Sequence, residues 1–188
     1  MKTTLMAALA AVTLITAVPA AADDYKIDPT HSFVTFTIPH LGYSLLQGRF
    51  NTLSGSFSHD PAKPAASTIM VEIDTASIDS NHAERDKHLR GDDFLNVKKY
   101  PTATFKSTGF TPKGNGGTLK GKLTLHGVTK SVMIPVTAIG AGKDPWGGYR
   151  SGWKGELTLK RADYGISYNL GPAAESVTLG LFIEGIRK

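Results

Sequence analysis

Cysteine is absent from this 188-residue chain, and that absence excludes several classes of protein at once. Without a thiol there is no disulfide framework, no zinc ribbon, no thiol nucleophile and no lipid anchor on an N-terminal cysteine. Acidic residues are also outnumbered, 16 against 21 Lys and Arg, so the net charge is +5. This charge permits an anionic partner but does not identify one. The length suits one domain with a sizeable core.

The first 22 residues have the layout of a signal peptide. Lys2 provides a short positive start, Leu5 to Val18 form an uncharged apolar run, and Ala20-Ala21-Ala22 offers an A-x-A cleavage site. The apolar run is too short to span a bilayer in the usual way, and no later stretch approaches that length. We therefore expect cleavage after Ala22 and a soluble exported domain over residues 23–188. In a Gram-negative source this domain would be periplasmic.

Alternation of apolar and polar residues dominates the rest of the chain. It is clearest in residues 119–126 and 149–160, where every second residue is apolar or small. Strict alternation predicts strands with one apolar and one wet face. Turn signals separate about eight such runs, with boundary errors of about two to four residues. The runs lie near 25–38, 43–57, 67–74, 102–110, 117–126, 129–140, 147–160 and 175–187.

Only residues 81–90 have a helical pattern, with Ser80 or Asn81 as the expected N-cap. The fold class is therefore all-β with one short helix. Eight antiparallel strands form either a sandwich or a closed barrel. The apolar face mixes large residues such as Leu123 with small ones such as Gly121. Alternation alone does not say whether the small residues make room for a side chain or for a ligand.

Five segments carry short motifs in a fixed order along the chain. They are Asp28-x-x-His31-Ser32 with Val34-x-Phe36-x-Ile38-x-His40-Leu41-Gly42; Gly48-x-Phe50 with Gly55-x-Phe57; Arg85-Asp86-x-His88-Leu89 with Asp93-Phe94 and Tyr100-Pro101-x-x-x-Phe105; Gly121-x-Leu123-Thr124-Leu125-His126-Gly127-Val128-Thr129-Lys130; and Arg161-x-Asp163-Tyr164-Gly165-Ile166. Together they resemble the YceI-like family of exported polyisoprenoid-binding proteins. The resemblance implies an extended eight-stranded antiparallel barrel of lipocalin-like shape. It also implies a tunnel for a polyisoprenoid, an isoprenoid quinone or a fatty-acid derivative.

One face of every strand should line such a tunnel. Sixteen residues are candidates for ligand contact, and core packing without a ligand is the alternative for each: Val34, Phe36, Ile38, Ile69, Val71, Ile73, Leu119, Leu123, Leu125, Tyr149, Trp153, Leu157, Val177, Leu179, Leu181 and Ile183. Trp153 and Tyr149 are the strongest candidates because amphipathic aromatic residues often fill mixed sites.

A ligand with a phosphate or quinone head also needs a polar partner. The candidates by residue type are Arg49, His40, Arg85, Arg90 and Arg161, with solvated surface charge as the alternative for each. Their sequence positions do not locate a head-group site.

The predicted helix carries two pairs of metal-ligand residue types at i,i+4 spacing, His82 with Asp86 and Glu84 with His88. The pairs lie on different helix faces and have no third ligand nearby, so no metal or other cofactor is expected. No G-x-S-x-G elbow occurs, and the protein is not expected to be an enzyme.

The expected function is non-catalytic binding of a long apolar chain for lipid transport, storage or sequestration. Transient contact with a membrane surface or membrane proteins fits this expectation. Nucleic acid does not, because the lysines stand singly on wet strand faces, apart from the aromatic residues. A homodimer would have to form through loops or outer strand faces, since a closed barrel has no free edge. The alternative is a periplasmic structural or protein-interaction module with a filled core.

Overall fold

The computed structural model describes residues 22–188, so the predicted signal peptide lies almost wholly outside the described residues and stays a prediction. The described chain forms eleven strands and one α-helix. They are β1 Asp23–Ile27, β2 Phe33–His40, β3 Ser44–Phe50, β4 Leu53–His59, β5 Thr68–Asp74, β6 Ile78–Asp79, α1 Ala83–Leu89, β7 Thr102–Lys113, β8 Gly116–Leu125, β9 Val128–Lys143, β10 Tyr149–Lys160 and β11 Ser176–Arg187.

Eight of the strands close into an antiparallel ring in the order β1-β4-β5-β7-β8-β9-β10-β11, and β11 pairs back onto β1. Strands β2, β3 and β6 extend the sheet beyond β11, because β2 pairs with β11, β3 with β2, and β6 with β3. This architecture confirms the predicted all-β fold with an eight-stranded antiparallel barrel and one short helix.

The run predicted as one strand over residues 25–38 is interrupted by residues 28–32. Both halves pair with β11, since Ile27 lies opposite Gly185 and Phe33 opposite Phe182. Pro29 has no N–H to donate to a ladder, and the Asp28 carboxylate accepts a hydrogen bond from the Thr30 amide at 2.9 Å. The chain therefore turns out of the sheet at this point and re-enters it as β2.

Helix α1 confirms the predicted helix, but its predicted N-cap is wrong. His82 caps it instead, with Nδ1 accepting a hydrogen bond from the Arg85 amide at 3.2 Å. Asn81 adopts a left-handed backbone (φ 62°), and the Ser80 hydroxyl donates to Asp86. Leu89 on the helix packs against a cluster that includes Phe94 and Leu95, so α1 and the segment after it cover one end of the barrel.

Several glycines of the sheet, Gly48 and Gly121 among them, lie directly against phenylalanine rings. A Cβ atom on Gly48 would come within 2.3 Å of the Phe36 ring, and one on Gly121 within 2.3 Å of the Phe105 ring. Phe36 is the direct cross-strand partner of Gly48. The space left by these small residues is therefore filled by neighbouring aromatic side chains and not by ligand volume.

The break between β1 and β2 is held to the barrel by an ionic network around Arg150. Its Nη1 atom donates to Asp28 Oδ2 at 2.7 Å and to Glu184 Oε1 at 2.6 Å, and its Nε donates to Asp144 Oδ2 at 2.9 Å. Asp28 is only 7% exposed and also contacts His31 Nδ1 at 2.8 Å. Burial alone would raise the pKa of Asp28, but hydrogen bonds from Thr30, His31 and Arg150 outweigh it and lower this pKa far below its usual range.

We expect Asp28→Asn to lower the free energy of unfolding by about 2 kcal/mol at pH 7, because Arg150 loses a charged hydrogen-bond acceptor. Since the pKa of Asp28 is lower in the folded than in the unfolded state, its contribution is full above pH about 4 and is lost as pH falls below that value. Urea denaturation at pH 7, 5 and 3 should show the gap between wild type and variant closing at low pH.

Asp163→Asn is the matched control, because Asp163 is half exposed and its one ion pair within residues 22–188 is with Lys130, at 3.8 Å. Loss of such a surface pair should change stability by less than about 1 kcal/mol. A gap between wild type and Asp28→Asn that stayed constant down to pH 3 would contradict the role given to the Asp28 charge.

Candidate ligand cavity

A cavity of about 760 Å³ lies inside the barrel beneath α1. This volume is typical of sites that bind small apolar molecules. Strands β2 and β3 form one side, and the segment that follows β10 forms another. Leu41 and Tyr168 line the cavity and are also exposed to solvent. The cavity therefore opens to the outside between the β2–β3 hairpin and residues 166–171.

A second compartment of about 140 Å³ adjoins the first inside the barrel. Five residues line both compartments and mark the place where they adjoin: Val34, Ile73, Ala103, Leu123 and Leu179. Phe57 also lines the deeper compartment and stacks on Tyr25 with ring centroids 4.6 Å apart. Aromatic packing thus fills the barrel beyond this compartment.

Trp153 and His59 form part of the wall of the narrow compartment. Their rings meet edge to face with centroids 5.1 Å apart, and His59 Nδ1 lies 2.8 Å from Ser67 Oγ. Burial lowers the pKa of His59 below its usual value despite the nearby carboxylates, so the ring is neutral at neutral pH. Trp153 donates its indole N–H to Ser151 Oγ at 3.1 Å. The indole N–H of Trp153 and the Nδ1 atom of His59 thus have polar partners within the protein.

The structure brings fifteen of the sixteen predicted wall residues onto the two compartments. The predicted residues that line the wide compartment, the narrow compartment or both are Val34, Phe36, Ile38, Ile69, Val71, Ile73, Leu119, Leu123, Leu125, Trp153, Leu157, Val177, Leu179, Leu181 and Ile183. Whether they touch a ligand or serve only as core stays a prediction.

Tyr149 is placed elsewhere, although alternation gives it the same parity as Trp153. It packs against the core cluster around Tyr25, and the Arg187 guanidinium lies 4.4 Å from its ring centroid. It stands at the start of β10 and lines neither compartment. Alternation identifies the face of a strand, but it does not say how far along the barrel a residue lies.

Several wall residues were missed because they lie outside the strands. Phe94 and Leu95 follow α1, and Ile166, Tyr168 and Leu170 follow β10. These segments have no regular period, so alternation gives no signal there. Phe94 and Ile166 do belong to the family motifs, and that was the available signal.

The wall of the wide compartment carries two arginines, Arg85 and Arg161, and two histidines, His40 and His88. Three of these four residues, His40, Arg85 and Arg161, are head-group candidates by residue type. The other two candidates lie elsewhere: Arg49 is exposed opposite Asp79, and Arg90 donates to backbone carbonyls of residues 76 and 78. No aspartate or glutamate lines either compartment within residues 22–188.

The two helix pairs considered for metal binding do not converge on a site. Asp86 accepts from Ser80, His88 contacts Asp93 at 2.9 Å, and His82 caps the helix. A different trio, Asp28, His31 and Glu184, has ligand atoms within 4.8 Å of one another. Arg150 bridges two of its carboxylates and supplies the positive charge there.

Residues 25–184 match the family model described as the YceI-like domain. The chain belongs to the YceI-like family. Full-length relatives include a UPF0312 protein of Pseudomonas aeruginosa strain LESB58, 54% identical over 190 residues, and one of Shewanella sp. strain W3-18-1, 52% identical over 191. Each alignment covers 100% of both chains.

Solved structures of the YceI-like type share the fold. BcnA of Burkholderia cenocepacia is 27% identical with a TM-score of 0.75, covering 84% of this chain and 98% of that one. The YCEI protein of Campylobacter jejuni is 29% identical with a TM-score of 0.71, and the match covers 80% of this chain and 90% of that one. A polyisoprenoid binding domain from Saccharophagus degradans is 20% identical with a TM-score of 0.65, covering 87% of this chain and 98% of that one. At this level of identity, the match shows the fold alone. Within residues 22–188, no helix is long and apolar enough to cross a membrane.

We expect Trp153→Arg to abolish retention of a long apolar ligand, because a guanidinium would enter the narrow compartment without a carboxylate partner. Retention is measured as ligand co-eluting with the purified protein, and far-ultraviolet circular dichroism checks the β-fold. Trp146→Arg is the matched control, since Trp146 is an exposed residue of the β9–β10 turn. Full retention by a folded Trp153→Arg protein would remove this residue from the ligand site.

Proposed function

We propose that the protein is a non-catalytic carrier that holds one long apolar chain inside its barrel for transport, storage or sequestration. The observation that carries this proposal is the apolar cavity of about 760 Å³ that opens at one end and continues into a narrower compartment. A filled core, as the structural or interaction-module alternative requires, would leave no such space. The proposed ligand class is a polyisoprenoid, an isoprenoid quinone or a fatty-acid derivative.

The shape of the interior favours a chain over a compact ligand. A wide compartment adjoins a smaller one at five shared lining residues, so a tail would extend inward while a bulkier end stays near the opening. Burial of hydrocarbon contributes about 25 cal/mol per Å² relative to water. A lipid leaving a membrane starts from an apolar medium, however, so its net transfer free energy is small. A carrier with this interior can therefore take up cargo and release it again.

The proposed site of action is the periplasm, reached through the N-terminal signal peptide. There the protein would carry cargo across the aqueous gap between membranes. The family resemblance supports the proposed ligand class, and so does the fold shared with the Saccharophagus degradans domain, which is described as polyisoprenoid binding.

Native mass spectrometry of the mature protein, purified from its own exported compartment, tests the proposal. We expect a discrete added mass that solvent extraction identifies as a long isoprenoid or acyl chain. A bare polypeptide that also takes up neither added polyprenol nor added quinone would refute the carrier function. The interaction-module alternative would then be preferred.

The β2–β3 hairpin at the cavity opening is the proposed contact with the membrane. Residues 38–48 contain no Asp, Glu, Lys or Arg, and the exposed fractions of Leu41, Tyr43 and Leu45 are 61%, 88% and 64%. Apolar residues with a tyrosine suit the boundary between headgroups and acyl chains. Contact there would place the cavity opening directly over the lipid.

We expect the double variant Tyr43→Asp/Leu45→Asp to slow transfer of a fluorescent lipid between vesicles at least about tenfold, because charge opposes insertion. Its capacity for ligand in a soluble assay should be unchanged, since neither residue lines the cavity. The control is Met133→Asp/Ile139→Asp, which changes two exposed apolar residues of β9. Equal transfer rates for both double variants would argue against the hairpin as the contact.

A further inference from the structure

The hydrogen-bonded wall of the barrel is incomplete between β5 and β7. The pairing of these two strands ends at Met70, which lies opposite Lys106. Beyond this pair, the Ile69 amide donates to a side chain, Ser107 Oγ, at 2.8 Å. A register shift in the pairing of β7 with β8 follows directly, between Ser107 and Gly109. Such an irregularity bends a strand, so β7 leaves the side of β5 at this point.

The turn that joins β4 to β5, residues 60–67, lies beside this part of β7. Its hydrogen bonds are local. The amide and the hydroxyl of Ser67 both donate to Pro64 O, at 3.0 and 2.7 Å, and His59 Nδ1 lies 2.8 Å from Ser67 Oγ. In the described part of the chain, no hydrogen bond joins this turn to β7. The wall is therefore a packed turn here and not a paired strand.

The narrow compartment reaches the barrel surface at this turn. Its wall includes Ser67 and Thr68, and Thr68 is exposed to solvent. Phe110, on the part of β7 beyond the pairing with β5, stands in the same wall, and its ring centroid lies 6.3 Å from that of Trp153. Aromatic packing around Phe57 fills the neighbouring part of the barrel, so the way out of this compartment lies past the turn.

The surroundings of this gap suit hydrocarbon. Met70, at the end of the β5–β7 pairing, is 53% exposed, and Ala65 and Ala66 of the turn are exposed as well. Within residues 22–188, Lys154 is the only Lys, Arg, Asp or Glu that lines the narrow compartment. An apolar chain that passes the turn therefore leaves one apolar surface and finds another outside.

From this arrangement we infer that the gap between residues 60–67 and β7 is a second opening, through which the tail of a long apolar chain leaves the barrel while the rest stays enclosed. This inference rests on the proposed carrier function and extends its ligand class to chains longer than the barrel. Strands of 12 residues give a barrel about 30 Å tall at the usual tilt. A cavity with one opening would limit the length of its ligand, whereas a cavity with two openings does not.

The test compares two alcohols with the same head group, farnesol with three isoprene units and undecaprenol with eleven. The extended undecaprenol chain is longer than the barrel. Each alcohol is offered to the mature protein in phosphatidylcholine vesicles, and the ligand that stays with the repurified protein is quantified by solvent extraction and mass spectrometry. We expect the wild-type protein to retain both.

Cysteine chemistry can obstruct the proposed opening selectively, because the chain has no cysteine of its own. Thr68→Cys modified with fluorescein maleimide places a bulky group at the gap. We expect this adduct to lower undecaprenol retention at least about tenfold relative to farnesol retention, because only the longer tail has to pass. Thr158→Cys with the same adduct is the matched control, since Thr158 is exposed on β10 and lines neither compartment. It should retain both alcohols.

Retention of farnesol but not of undecaprenol by the wild-type protein would overturn the second opening and leave the carrier function in place. An unchanged ratio of the two alcohols in modified Thr68→Cys would overturn it as well. If that adduct weakened both alcohols alike, the same adduct on Ala65→Cys decides: selective loss of undecaprenol supports the opening, and parallel loss contradicts it. Failure of the wild-type protein to bind either alcohol would instead refute the carrier function itself.

Discussion

Closure of the sheet by its last strand is the constraint on which the interior depends. β11 pairs with β10 along one edge, and along the other it pairs first with β2 and then with β1. Because the ring satisfies the backbone hydrogen bonds of each strand, the inner face can carry apolar side chains without a polar sheet edge beside them. Without β11, the same residues would line an open sheet exposed to water.

The strands and the face of each strand were predictable from the sequence because both follow from a period of two. This period places fifteen residues on the cavity wall. Tyr149 shows its limit, since it shares the parity of Trp153 and yet lines neither compartment. The break at residues 28–32 had a local signal in Pro29, but the Arg150 network that holds it joins residues far apart in the chain. Phe94 and Tyr168 lie in aperiodic segments that only the tertiary fold brings to the opening.

The role of a small or charged residue was harder to predict because it depends on neighbours that the sequence does not identify. Gly121 could have made room for ligand, yet the Phe105 ring occupies that space. Arg90 and Arg161 are alike as residue types and both donate to backbone carbonyls. Only their surroundings differ. Arg90 donates to the carbonyls of residues 76 and 78, whereas Arg161 lines the apolar cavity.

The pairing of β1 with β11 also sets the order of events during synthesis. The two strands lie at opposite ends of residues 23–188, so the ring cannot close until the C-terminal residues have emerged. Until then, an incomplete sheet would expose its apolar face to other chains, and this exposure favours aggregation. A polypeptide that stays unfolded until it is complete can be threaded through a narrow membrane channel. Late closure thus fits the proposed export of the chain across a membrane before it folds.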